Sequence, residues 1–363
     1  MADDSSRISF DSAYSASKYR MFEVSGDIAD RIEKGMPLYI KGEEAGSCVL
    51  TTSEEAFKLE KIETSNTVLL CVKEDSGRLV AKGVCGSYFE LLNNPVDAKS
   101  LLSFIPDLSE MNGSNSPTVT VEELETHCLF SPADIEKALT KCRYIIRDDS
   151  VVPNRFYKVS SYVFYSTLLE FIDHCILHHI SLSSFSMDEV LQSDLQIPVI
   201  FARHLVRFLN DPSQPTADSN LSISRATLVY ALARAAFLCQ SQATEWLSEE
   251  DLQNTIALHL PSDYDFDIST DTAYLKGVAI HEAIGAQKGF HFIDTDKLRL
   301  DPKERFEELF SIESEWTQEE LVPYIADLEE AGFGRPGDLL LKYCREVTVN
   351  EGDKTWKHYV LRH

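Results

Sequence analysis

Residues 316–361 open with Trp316-Thr317-Gln318-Glu319-Glu320-Leu321 and continue through Tyr324-Ile325, Leu328 and Gly332. Arg335-Pro336-Gly337-Asp338 follows, then Leu339 to Arg345, Val347 to Val349, Asn350-Glu351-Gly352-Asp353, and Trp356 to Leu361. Thr317 and Glu320 form a capping box, in which each side chain satisfies the other's backbone N–H, and Trp316 and Leu321 are placed as a hydrophobic staple. Leu321, Tyr324, Ile325 and Leu328 recur at helical spacing, and Gly332 ends the run. Pro336 starts a last helix, and the Asn-Glu-Gly-Asp turn joins two strand-like runs into a hairpin. With a helix expected at 302–311, the stretch has the grammar of a winged helix.

The same grammar recurs upstream. Val121, Leu124 and Cys128 line one helix. Ser131-Pro132-Ala133-Asp134 caps the next, whose apolar face is Ile135, Ala138, Leu139 and Cys142. Tyr144 to Arg147 and Arg155 to Lys158 then flank a polar turn containing Asp148, Asp149, Ser150 and Pro153. Between these copies, Ser186-Met187-Asp188-Glu189 is another capping box. Helices are expected at 197–209, near 224–240 and at 245–260, with a polar loop from Asp211 to Asn220 and a strand at Phe290 to Ile293. Three helix-helix-wing units are the most economical description, and a generic α+β arrangement fits the same elements.

The first hundred residues differ. Met21 to Val24, Leu38 to Lys41, Cys48 to Thr51, Ala56 to Glu60, Thr67 to Val72 and Leu79 to Leu91 read as strands, with a helix from Asp27 to Lys34 ended by Gly35. Short strands at this spacing point to a small barrel or sandwich. Thr67-Val68-Leu69-Leu70-Cys71-Val72 is apolar on both faces, so it is either central or covered by another protein. Asp107 to Thr118, rich in Asn, Ser and Gly, is the clearest linker. The expected fold class is α+β, with a β-barrel-like domain at 1–105, a linker at 106–118 and winged helices at 119–180, 181–296 (with extra helices) and 297–363.

Composition limits function. The 34 basic residues against 59 acidic ones give a formal charge of −25 over 363 residues, which repels nucleic acid at long range, so any DNA contact needs a local basic patch or a partner. No apolar stretch reaches the roughly 18 residues of a membrane helix. Met1 to Ser6 has no signal-peptide character. The eight cysteines contain no Cys-x-x-Cys pair and read as reduced thiols, mostly core. A nuclear or cytosolic address is expected.

Catalytic motifs do not emerge. Neither G-x-x-x-x-G-K-[ST] nor G-x-G-x-x-G occurs, and no G-x-S-x-G elbow. His281-Glu282 lacks the second histidine of a zinc protease motif, since Gly285 stands there. His174 and His178 lie four apart on an expected helix, with Cys175 and His179 beside them, but no further ligand cluster has recognisable spacing. No enzyme, metal or cofactor is expected.

Basic residues do gather at the end of the chain. Lys342, Arg345, Lys354, Lys357 and Arg362 surround the last helix and hairpin, interleaved with Tyr343, Trp356, His358 and Tyr359. On a winged helix these positions fall on the third helix and wing, which usually meet a duplex. The competing description is a solvated hairpin with Trp356 in a core. Five cations together would give a salt slope of about −4 to −5 in log K. The acidic run from Asp301 to Glu330 should face away from DNA, as a solvated helix surface or a protein-docking face.

Several segments together resemble the sister chromatid cohesion protein Dcc family. They are Met21 to Val24, Ile32 to Gly42, Glu63 to Leu70, Tyr274 to Ala279, Arg305-Phe306, Leu309-Phe310, Trp316 to Glu320, Pro323 to Leu328 and Leu340 to Tyr343. The resemblance touches both ends and most of the length, in order, and residues 100–220 diverge most. It implies a non-catalytic subunit of the alternative replication factor C clamp loader, acting in replication and sister chromatid cohesion in the nucleus. The implied N-terminal strands complete a composite β-barrel with the large and small Ctf subunits. The implied assembly links the loader to DNA polymerase epsilon and, indirectly, to the sliding clamp PCNA, and its winged helices contribute DNA contact. On that basis Phe22, Val24, Val68 and Leu70 are expected at the partner interface, and the five C-terminal cations at DNA. A winged-helix transcription regulator is the alternative, but the helix from Ile135 to Cys142 offers it only Lys137 and Lys141.

Overall fold

The computed structural model describes residues 8–42, 46–75, 77–94, 96, 98–108, 118–149, 154–210, 220–240, 244–351 and 354–362, and leaves aside the side chains at 98, 99, 349–351 and 354–356. Met1 to Ser6, most of the expected linker (109–117), Ser150 and Pro153, residues 211–219, and Gly352 and Asp353 lie outside the described residues. The fold is mixed α and β, and its contacts divide it into two units: 1–96 with 121–138, and 97–120 with 139–363.

The first unit carries the strands β1 (Ile8–Ser15), β2 (Met21–Glu23), β3 (Tyr39–Gly42), β4 (Cys48–Thr51), β5 (Ala56–Lys73) and β6 (Leu79–Asn93), and the helix α1 (Gly26–Glu33). They form one sheet in the order β1-β6-β5-β4-β3, with β2 also on β6. Among the described residues no ladder joins β3 back to β1, so the expected barrel is an open sheet. Its core is small: Ile28, Val49, Leu50, Ala56, Val80 and Ala81 are buried. Gly35 takes φ +69° after α1, the left-handed conformation that stops a helix. The two strands expected at 56–60 and 67–72 are one strand. Its register shifts between Glu63, opposite Ser87, and Val68, opposite Cys85, so the polar Thr64 to Thr67 segment is a bulge within the ladder rather than a turn. β1 precedes the first strand expected from the sequence pattern, at Met21 to Val24.

Three helices follow: α2 (Ala98–Leu102), α3 (Val121–His127) and α4 (Pro132–Lys141). Ser131 caps α4 as expected, accepting the backbone N–H of Asp134 at 3.1 Å.

The second unit contains the hairpin β7 (Ile145–Asp148) and β8 (Arg155–Lys158), then α5 (Ser161–Leu177), α6 (Met187–Gln192), α7 (Val199–Leu209) and α8 (Arg225–Leu238). The Ser186–Glu189 capping box is present in both directions. α5 buries Phe164, Leu168, Phe171 and Ile172, and α8 buries Leu228, Leu232 and four alanines. A helix apolar on most sides must be internal, and the small alanines permit close approach. The helix expected at 245–260 begins later, because Trp246 to Ser248 form a strand, β9 (Trp246–Ser248), before α9 (Glu249–Leu258). A 3-10 turn at Thr272–Leu275 leads into β10 (Ala279–Ile284) and β11 (Gln287–Phe292), and β9 pairs with β11.

The chain closes with α10 (Pro302–Ile312), α11 (Gln318–Leu321), α12 (Asp327–Glu330), α13 (Pro336–Tyr343), β12 (Cys344–Glu351) and β13 (Lys354–Leu361). The stripe from Leu321 to Leu328 is not one helix. A 3-10 turn at Val322–Tyr324 separates α11 from α12, because Pro323 has no N–H to give the helical ladder. Its residues still share one core: Leu321, Tyr324, Ile325 and Leu328 pack with Phe306, Leu309, Trp316 and Leu339. Gly332, at φ +84°, ends the run as its position implied.

An order recurs along the chain. α8 is followed by β9, α9, the 3-10 turn and the β10–β11 hairpin. α10 is followed by Trp316, α11 with α12, α13 and the β12–β13 hairpin. In each, the single strand-like segment pairs antiparallel with the last hairpin strand, and Trp316 does so through a bridge to Tyr359. Val119 bridges Phe156 of β8 in the same sense, with α3 and α4 between them in sequence.

Candidate functional site

The β12–β13 ladder runs from Cys344 opposite Leu361 to Glu351 opposite Lys354. Cys344, Tyr359 and Leu361 anchor its base in the C-terminal core. Trp316 and Tyr359 exchange backbone hydrogen bonds of 3.0 and 2.7 Å, so the hairpin is the outer part of a short three-stranded arrangement.

The four expected cations whose side chains are described do not form one cluster. Lys342, Arg345, Lys357 and Arg362 are exposed. Lys342 Nζ lies 5.0 Å from the Tyr343 ring centroid, a cation–π contact. Arg345 stands opposite Val360 and Lys357 opposite Thr348, positions of opposite parity on the ladder, so these two side chains leave opposite faces. Lys357 Nζ is bound to Glu346 Oε1 at 2.9 Å, and that hydrogen bond pushes its ammonium up from the usual lysine range. Arg362 follows β13, its backbone N–H donating to the Tyr343 carbonyl at 2.8 Å. Lys354 occupies the Glu351 end of the ladder, while its side chain and that of Trp356 lie outside the described residues.

The acidic 301–330 stretch is partly paired within the second unit. Arg299 meets Glu304 at 3.1 Å, Lys276 meets Glu319 at 2.6 Å, and Lys141 pairs with Glu330. Arg305, quoted above only for the family resemblance, is buried, donating to the Tyr324 carbonyl and to Asp327 and so joining α10 to α12.

The other candidate surface lies on the first unit. Beyond Lys58, β5 has a ladder partner on one side only among the described residues, namely β6. There Val68, Leu69, Leu70 and Val72 are 42%, 38%, 46% and 51% exposed, so both faces of the strand show apolar side chains to solvent. Phe22 is half-buried and stacks on Phe89 at 5.2 Å, and Val24 is half-buried just beyond β2. β2 and β5 lie on opposite edges of β6, so the four expected interface residues do not form one patch. Ile8 and Phe10 on β1, and Tyr39 and Ile40 on β3, are exposed apolar residues that the sequence reading did not select. Ladder position, which hydropathy does not encode, is what leaves them uncovered.

His174 Nε2 lies 2.7 Å from Ser193 Oγ, and its ring packs against His178 at 4.3 Å. Burial, then the neighbouring His178, holds the His174 imidazole below its usual range. His281 meets Glu249 at 3.1 Å. Among the described residues no three His, Cys, Asp or Glu side chains converge as a metal site would require. Burial raises the thiols of Cys175 and Cys344 to about 12, far from a reactive thiolate at neutral pH. Among the described residues no helix is long and apolar enough to cross a membrane.

Comparison with known proteins joins these features. The family model described as Sister chromatid cohesion protein Dcc1 matches residues 19–325. A probable sister chromatid cohesion protein DCC1 from Dictyostelium discoideum is 24% identical, over 97% of both chains. The sister chromatid cohesion protein DCC1 of Homo sapiens is 23% identical, over 93% of this chain and 88% of its own. The Saccharomyces cerevisiae protein of the same name is 37% identical over 77 residues, 19% of this chain and 20% of its own.

Proposed function

Because the chain belongs to the sister chromatid cohesion protein Dcc1 family, we propose that it is a nuclear, non-catalytic subunit of the alternative replication factor C clamp loader. It acts in sister chromatid cohesion by completing a shared fold with the large and small Ctf subunits. It links the loader to DNA polymerase epsilon and DNA and, indirectly, to PCNA. The observation that carries this reading is the half of β5 that, among the described residues, has one ladder neighbour and exposes Val68, Leu69, Leu70 and Val72 on both faces. Such an edge is a template for strand pairing, and apolar side chains exposed along it suit cover by a partner chain. Covering four half-exposed aliphatic side chains contributes on the order of 1 kcal/mol each. An obligate interface of this kind buries about 2,000 Å² or more.

The recurring order of helix, strand, helices and hairpin supports reading 119–180, 181–296 and 297–363 as winged helices, and Lys342, Arg345, Lys354, Lys357 and Arg362 as the DNA-facing cations. An autonomous transcription regulator is less favoured: of the two lysines on α4, Lys141 is already paired with Glu330.

Co-expression with the two Ctf subunits followed by size exclusion tests the proposal. The wild-type chain should co-elute with both. Val68→Asp with Leu70→Asp should release them while leaving the melting temperature of the free chain within a few degrees. A wild-type chain that runs as a stable monomer and ignores both partners overturns the reading.

A further inference from the structure

The second unit contains a cavity of about 430 Å³ between α5, α7, α8 and the 3-10 turn at Thr272–Leu275. Its volume is toward the lower end of the range for binding pockets, enough for one or two large side chains. The space exists because Ala226, Ala231 and Ala273 stand where larger residues would fill it. Ala226 and Ala273 are exposed, so it opens to the surface between the start of α8 and the 3-10 turn.

The walls are fixed in advance. The Tyr165 hydroxyl accepts from Arg143 at 2.9 Å and from Arg234 at 2.6 Å. Tyr274 lies under the Arg225 guanidinium at 5.2 Å, and Arg225 is held by Asp271 at 2.5 Å. A preformed wall loses little conformational freedom when a ligand enters.

Charge selects the occupant. Two lining residues are cations, but Lys276 is bound to Glu319 at 2.6 Å and Arg143 Nε lies 3.7 Å from Asp296. A phosphate would compete with carboxylates already in place and approach a chain of formal charge −25. A neutral side chain meets no such competition and buries its surface against Phe164, Phe208, Tyr230 and Tyr274. We propose that this cavity receives a large apolar or aromatic side chain presented by a peptide segment of a partner protein. The proposal is independent of the β5 edge and of the C-terminal cations.

Saturation-transfer NMR on the full chain tests it, with N-acetyl-tryptophanamide, N-acetyl-leucinamide and thymidine monophosphate as probes. One or both amino-acid amides should receive saturation from the wild-type chain, and the nucleotide none. Ala226→Trp and Ala273→Trp, at exposed positions, should each block the mouth and weaken the amide signal at least about fivefold. A thermal melt verifies that each variant is folded, and either one suffices. Absence of transfer to both amides, equal transfer in wild type and folded variants, or preference for the nucleotide would each overturn the proposal; the last would make the cavity a nucleic-acid pocket.

Discussion

Lys357 and Glu346 lie diagonally on one face of the C-terminal hairpin, Nζ 2.9 Å from Oε1, while Arg345 leaves the opposite face. Lys357 thus has a carboxylate as its resting partner. One flat surface of a duplex cannot meet all five C-terminal cations at once.

This pairing makes the salt dependence of DNA binding diagnostic. Measured by fluorescence anisotropy, the slope of log K on log salt should be shallower than about −4, because fewer than five cations engage together. Glu346→Gln should free Lys357, steepen the slope by up to about one unit and tighten binding roughly two- to fivefold at low salt. Reversing the charge of Lys354 and Lys357 should weaken DNA binding without affecting complex assembly.

Arg234 is fully buried on α8 and donates to Asp294 at 2.7 Å, Asp296 at 2.6 Å and the Tyr165 hydroxyl. Arg234→Met should lower the unfolding free energy by roughly 3–5 kcal/mol, because Asp294, itself buried, is left with only the exposed Lys297 at 3.5 Å as a counter-charge. Adding Asp294→Asn should recover part of the loss. Urea titration followed by circular dichroism measures both.

Burial holds the His204 imidazole down to about 4, while its Nε2–H donates to the Arg143 carbonyl at 2.8 Å. The unfolded chain takes up this proton first, near its ordinary value of about 6.5, so the folded state keeps its full stability above that pH and loses it as pH falls toward 4. The loss at this site is on the order of 3 kcal/mol over the window. His204→Gln should flatten that part of the profile, as read from urea midpoints at pH 7 and pH 5.

Gly289 on β11 sits opposite Ser248, and a Cβ there would fall well inside contact distance of the Leu247 carbonyl and the Trp246 ring. Backbone cannot yield as a flexible side-chain tip can, so Gly289→Ala should cost about 2 kcal/mol or more by forcing β9 away. Gly86→Ala, with open space at the corresponding point, should shift stability by less than about 0.5 kcal/mol. Thermal melts compare the two.

What could be read in advance was local. The capping boxes at Ser186 and Thr317, the stops at Gly35 and Gly332, and the hairpins after α4 and α13 depend on residues a few positions apart, whose contacts any chain with that spacing can make. The unread features join distant residues. β5 runs through Thr64 to Thr67 because β6 pairs with it on both sides of that bulge, and Trp246 is a strand residue because β11 lies beside it.

By itself the amino-acid order determined the alternation of helices and strands, the acidic surface and the two-sided apolar run at Val68 to Val72. Only the tertiary structure decided that this run has one ladder neighbour among the described residues, that Lys357 is already bound to Glu346, and that three alanines leave a cavity among aromatic rings. The reason is that periodicity records which face of an element is apolar. What that face meets depends on register and packing between segments tens of residues apart, and no local pattern carries that information.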